Sequence, residues 1–149
     1  MSHLININPI DDPFYRYKMP SLVVKTSKNF TTLENLPDIS KSLDRNSEFI
    51  LKYFGSKLGT QINVSKKCIN GNHSRDKLQS MLQNFIDEFV LCKDCLNPET
   101  KIIFVESYSM ECSACGSVNI LKDDKLLKYS VWEQVVLKEF ISISKIKYN

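Results

Sequence analysis

The chain has 149 residues, 42% of them hydrophobic and 25% charged, and a net charge of +3. That suits one folded domain, or a compact domain plus a small metal module; the charge permits a local basic patch and no more. No apolar run approaches the roughly 20 residues needed to span a bilayer, and residues 1–12 lack the basic start and apolar core of a signal peptide. A cytosolic or nuclear protein with reduced cysteines is expected.

Residues 1–12 read as a flexible polar tail, in which Pro9 and Pro13 discourage helix. Phe14-Tyr15-Arg16-Tyr17-Lys18-Met19-Pro20 follows. Its plain reading is an aromatic anchor for the N-terminus, with Arg16 solvated. Residues 22–26 are apolar and β-branched and predict a strand. Residues 27–29 predict a turn, and residues 30–36 a second short strand. Pro37 suits a first helical turn, so a short helix is expected over residues 37–43, with Ile39 and Leu43 on one face. Phe49, Ile50, Tyr53, Phe54 and Leu58 recur at helical spacing and predict a helix over residues 47–58, stopped by Gly59. Lys52 falls between these apolar positions and reads as solvated. Residues 61–64 and 67–70 read as a hairpin, and Asn70-Gly71-Asn72 as a turn. Cys68 is a small hydrophobe in a strand. Ser74 is an N-cap for a helix over residues 75–89. Its stripe of Leu78, Met81, Leu82, Phe85, Ile86 and Phe89 faces a core. His3 falls in the tail and His73 in a turn. The sequence has no Ser-His-Asp set and no Gly-rich phosphate loop, so no catalysis of its own is expected.

That helix runs into Cys92-Lys93-Asp94-Cys95, and after sixteen intervening residues comes Cys112-Ser113-Ala114-Cys115-Gly116. Two Cys-x-x-Cys turns at this separation match a four-thiolate zinc site. Each turn aims two sulfurs at one point, and four complete the tetrahedron of a closed structural site. Residues 102–105 and 118–121 supply strands, and Gly116 frees the backbone for positive φ. Two disulfides would need an oxidising compartment, and a redox pair needs only one such turn. One structural Zn2+ per chain on Cys92, Cys95, Cys112 and Cys115 is expected. The end of the chain is ambiguous: a helix after Ser130, then strand-like alternation over residues 141–144. The expected architecture is α+β, a small mixed α/β domain followed by a zinc ribbon. The expected segments are a tail at 1–12, the α/β domain at 13–90, the ribbon at 91–127 and an extension at 128–149.

Several of these stretches, in order, resemble the N-terminal domain of eukaryotic translation initiation factor 5. They are the aromatic-Arg segment at 14–20, Lys52-Tyr53-Phe54-Gly55, Leu58-Gly59-Thr60-Gln61, Asn70-Gly71-Asn72-His73, Phe89-Val90-Leu91-Cys92 and Asn97-Pro98-Glu99-Thr100. The beta subunit of initiation factor 2 is related, but the aromatic-Arg and Lys-Tyr-Phe-Gly segments are closer to factor 5. The resemblance covers residues 12–127. It implies an α/β domain on a zinc ribbon that activates GTP hydrolysis by the gamma subunit of initiation factor 2, within the small ribosomal subunit complex. It further implies a cytoplasmic, monomeric protein with room for RNA contact and no membrane partner. The family's arginine finger matches Arg16, and a family lysine implicated in the same activity matches Lys52. An arginine delivered by a partner offsets charge that builds on the phosphoryl oxygens.

The sequence also departs from the family. The Gly- and Lys-rich loop is here the shorter Ser27-Lys28-Asn29-Phe30. Asn46-Ser47 replaces a proline pair, and Ser56 replaces a cysteine. The family's C-terminal helical-repeat domain is expected to be missing after Asn149, giving a truncated or diverged stand-alone version. Two further readings stay open: a non-catalytic beta-subunit-like module or competitor, and a zinc-ribbon nucleic-acid binder.

Overall fold

The structure, a computed structural model, describes residues 4–104 and 108–121. These form two compact units that divide between Glu88 and Phe89. The elements expected after Ser130 lie outside the described residues.

The first unit opens with β1 (Leu4–Asn6) paired antiparallel to β2 (Lys18–Pro20), Ile5 opposite Met19 and Asn6 opposite Lys18. This corrects the expected tail over residues 4–12. Pro9 forbids helix but not the strand before it. The alternation Leu4-Ile5-Asn6-Ile7 buries Ile7 to 1% exposure. A four-stranded antiparallel sheet follows. Its spatial order is β3 (Val24–Thr26), β4 (Phe30–Leu33), β6 (Cys68–Asn70), β5 (Ile62–Asn63). The strand expected over residues 22–26 begins later because side chains hold residues 21–23. Asn35 donates to the Ser21 carbonyl (2.7 Å) and accepts from Val23 N–H (2.9 Å). Gln79 accepts from Leu22 N–H (2.7 Å), and Arg75 Nε donates to the Leu22 carbonyl (3.1 Å).

Helices supply most of the first unit's core. α1 (Leu36–Leu43) carries Pro37 in its first turn and buries Leu36, Ile39 and Leu43. α2 (Ser47–Leu58) starts at Asn46, whose side chain accepts from Glu48 N–H (2.8 Å), and stops at Gly59 with φ +65. The Asn46-Ser47 departure thus supplies its own cap. α2 buries Phe49, Ile50, Leu51, Tyr53, Phe54 and Gly55, a wider face than the sequence stripe implied. α3 (Arg75–Phe89) starts after Ser74, which accepts from Lys77 N–H (3.3 Å). Its Phe85 meets Phe49 and Tyr53 edge-on, with centroids 5.1 and 5.2 Å away. Such pairs add to the burial energy of the rings.

The second unit is a three-stranded antiparallel sheet of β7 (Thr100–Phe104), β8 (Tyr108–Cys112) and β9 (Val118–Ile120), with β8 central. Two flanking strands were expected, but β8 was not. It buries Tyr108, Ser109, Met110 and Cys112 in near succession, so it lacks the period-2 signal of a half-exposed strand. Cys68 lies buried in β6, as expected.

Candidate functional site

The two cysteine turns share one backbone design. Cys92 N–H donates to the Asn97 carbonyl and Leu96 N–H returns to the Cys92 carbonyl, both at 3.0 Å. In the second turn Cys112 N–H donates to the Ser117 carbonyl (2.9 Å) and Gly116 N–H returns to the Cys112 carbonyl (3.0 Å). The fourth residue after each leading cysteine takes positive φ: +60 at Leu96 and +79 at Gly116. Gly116 was legible as this position. Leu96 was not, because a leucine carries no turn signal. Asn97-Pro98-Glu99-Thr100 closes the first turn onto the sheet. Asn97 Oδ1 accepts from Glu99 N–H (2.9 Å), the Glu99 carbonyl accepts from Ser113 N–H (2.8 Å), and Thr100 Oγ1 donates to the Val90 carbonyl.

Cys92, Cys95, Cys112 and Cys115 thereby bring their four sulfurs within 4.8 Å of one another. Cys92 Sγ is 3.6 Å from Cys115 Sγ, and Cys95 Sγ is 3.6 Å from Cys112 Sγ. Bonded sulfurs would sit at about 2.05 Å. A tetrahedron with metal–sulfur bonds of about 2.3 Å has edges of about 3.8 Å, so the four thiols fit one metal ion. Cys92 and Cys112 are buried, whereas Cys95 and Cys115 face solvent. As free thiols they divide. Ser117, through its side chain and then its backbone, lowers Cys115 to about 6. The Asn97 backbone pulls Cys95 down, but burial and the neighbouring thiols outweigh it and push Cys95 up to about 12. Asp94 also leans on this edge and accepts from Asn119 Nδ2 (3.3 Å).

Arg16 lies in the first unit, on the loop between β1 and β2. It is exposed, with its guanidinium 5.6 Å from the Tyr17 ring centroid. Tyr17 meets Tyr15 edge-on at 5.8 Å. Burial raises the Tyr15 phenol above its ordinary pKa, so no phenolate offsets Arg16 there at neutral pH. Phe14 is 92% exposed and anchors nothing in the fold, which narrows the expected aromatic anchor to Tyr15 and Tyr17. The loop is bonded from within. Asn6 Nδ2 donates to the Ile10 (2.9 Å) and Asp12 (3.0 Å) carbonyls. Lys18 Nζ donates to Asn6 Oδ1 (2.9 Å) and the Pro13 carbonyl (3.4 Å). Asp12 accepts from Phe14 N–H (2.9 Å), and Ile7 N–H donates to the Tyr17 carbonyl (3.0 Å).

Lys52 lies mid-helix in α2 and is half-buried rather than fully solvated. Its neighbour in the motif, Gly55, sits in a tight spot: a Cβ there would lie 2.9 Å from Ile62 Cγ2 and 3.1 Å from the Thr60 carbonyl. Asn70-Gly71-Asn72-His73 is a locked turn. The Asn70 carbonyl lies 2.9 Å from His73 Nε2, and Thr31 Oγ1 accepts from His73 N–H (3.0 Å) while donating to the Gly71 carbonyl (2.9 Å). The shortened loop is a tight turn in which the Phe30 carbonyl accepts from Ser27 N–H (2.8 Å) and Ser27 Oγ (3.1 Å).

Fold and site together define a mixed α/β module joined to a four-cysteine ribbon. A family model described as the domain found in initiation factors 2B and 5 matches residues 8–118. The chain belongs to that family of translation initiation factors. It is similar to eukaryotic translation initiation factor 5 of Caenorhabditis elegans, 43% identical over 123 aligned positions that cover 75% of this chain and 28% of that protein. The Saccharomyces cerevisiae factor 5 is 44% identical over 115 positions, 70% of this chain and 28% of that protein. The Mus musculus factor 5 is 40% identical over 124 positions, 75% of this chain and 29% of that protein. The match thus spans under a third of each of these relatives. No helix among the described residues is long and apolar enough to cross a membrane.

Proposed function

We propose that this chain acts as a factor-5-like protein on the GTP-bound gamma subunit of initiation factor 2, stimulating GTP hydrolysis through Arg16. Phosphoryl transfer leaves little covalent chemistry for the protein to do, so a positioned cation from a partner is an effective contribution. The observation that carries the reading is Arg16 itself, an exposed guanidinium on a loop that is bonded from within, beside an exposed Phe14. Lys52 serves docking or orientation, since its half-buried helix position suits a fixed contact. The metal is Zn2+, one per chain, in a closed four-thiolate site without an open position for catalysis. The partner surface lies on the small ribosomal subunit complex, in the cytoplasm, with RNA alongside.

A second reading is favoured by the Ser27–Phe30 turn, which is too short for the family's Gly- and Lys-rich loop. On that reading the chain occupies the same site without triggering hydrolysis, as a beta-subunit-like module or competitor. Single-turnover GTP hydrolysis by initiation factor 2, with and without this protein, separates the two. Stimulation supports the first; binding without stimulation supports the second. A pull-down that recovers RNA polymerase subunits and no initiation factor supports a general zinc-ribbon nucleic-acid binder instead.

A further inference from the structure

We propose that Asn6 and Lys18 are positioning residues that hold the Arg16 loop in its working shape, an inference that rests on the proposed role of Arg16. The two face each other across β1 and β2. Asn6 uses every polar site of its amide: both donor contacts go to loop carbonyls, at Ile10 and Asp12, and its oxygen takes Lys18 Nζ. Lys18 in turn reaches the Pro13 carbonyl. Three carbonyls of the loop are therefore tied to one cross-strand pair at its base. An aspartate at position 6 would keep the acceptor and lose both donors, and a methionine at 18 would keep the stem and lose the cation.

The loop these bonds hold contributes little to the core. Pro9, Ile10, Asp11, Asp12, Pro13, Phe14 and Arg16 are all exposed. The pair therefore orders a segment whose order adds little to the stability of the fold. Order there matters if a side chain on the loop must meet a partner in one geometry. A floppy arm would lose its conformational freedom on docking and deliver its guanidinium imprecisely. Misplacement by about 1 Å can cost about a hundredfold in rate.

The test is single-turnover GTP hydrolysis by initiation factor 2 across a concentration series of this protein, beside hydrogen exchange of the free protein. Lys18→Met and Asn6→Ala are expected to lower the maximal rate about 10- to 100-fold and to leave the half-saturating concentration nearly unchanged. Lys18→Arg, which keeps a cationic donor on a long stem, is expected to recover most of the rate. Exchange at the Phe14 and Tyr15 amides should rise in Lys18→Met while α2 and α3 stay protected. Full maximal rate in Lys18→Met with Arg16→Ala inactive overturns the positioning role and leaves the arginine assignment standing. So does a lowered rate with unchanged loop exchange. Equal stimulation by Arg16→Ala and wild type, or no stimulation by either, overturns the proposed function and the positioning role with it.

Discussion

Arg16 sits where its loss tests chemistry without testing the fold, because its side chain is exposed. Arginine fingers contribute roughly 10³–10⁵ in rate, about 4–7 kcal/mol of barrier. Arg16→Ala is expected to abolish stimulation of GTP hydrolysis with an unchanged melting temperature. Arg16→Lys should also fail substantially, since an ammonium lacks the planar fork. Lys52→Ala is expected to give a smaller loss, part of it from the packing of its half-buried stem. Equal stimulation by wild type and Arg16→Ala would remove Arg16 from the mechanism. The two cysteine turns offer a paired test of backbone strain. Leu96 holds φ +60 where its counterpart is Gly116 at φ +79. A side chain in that region costs roughly 1–2 kcal/mol. Leu96→Gly is therefore expected to hold or raise the ribbon's stability, and Gly116→Ala to lower it by about 1 kcal/mol. Nothing lies within 4 Å of a Cβ at Gly116, so the cost is conformational rather than steric. Equal melts for Gly116→Ala and wild type would show that the turn relaxes.

Helix α3 carries the element-scale test, because Phe85 contacts Phe49 and Tyr53 of α2. Phe85→Ala is expected to cost about 3–5 kcal/mol, read as a drop in the denaturant midpoint. A shift near zero would mean that the helix repacks around the loss. Gly55→Ala in α2 is expected to destabilise by about 1–3 kcal/mol, since the new methyl meets Ile62 and the Thr60 carbonyl. The helices were the legible part of the chain. Their apolar spacing and caps at Pro37, Gly59 and Ser74 are local signals, and the structure places α1, α2 and α3 accordingly. The strands were less legible because they depend on partners far away in sequence. The amides of residues 22 and 23 are held by side chains, Gln79 and Asn35, rather than by a neighbouring strand, while the Val23 carbonyl still accepts from Glu34 N–H. β1 depends on β2 across the loop, and β8 shows no alternation to read. At the site, the four cysteines were legible from spacing alone. Asn6 was not, since one asparagine between two isoleucines signals nothing until Lys18 is placed opposite it.

At the scale of the whole molecule, the two units rest on different forces. The first buries an apolar core that includes Leu33, Phe49, Tyr53, Phe54, Ile69 and Phe85. Among its described residues, the second is a small sheet whose buried apolar side chains include Ile102, Ile103, Met110 and Leu121. A sheet that small depends on its staple. Structural Zn2+ supplies about 10–16 kcal/mol of apparent binding free energy in small metal domains, much of it folding energy. Protein purified without chelators is expected to carry one Zn2+ per chain by elemental analysis, and absence of stoichiometric metal would overturn the zinc assignment. Cys95→Ser should unfold the ribbon, while Cys68→Ser should leave the ribbon and its metal in place, because Cys68 lies in β6 of the other unit. Chelation of the wild type extends this to the division of the chain. Amides of β7, β8 and β9 should lose their exchange protection together, and the last turn of α3 should fray, since Phe89 belongs to the second unit. Amides around Phe54 and Ile69 should keep theirs, because nothing in that core is a metal ligand. Loss of protection in both units at one chelator concentration would show that the metal stabilises the whole chain cooperatively, and that the first core does not stand alone.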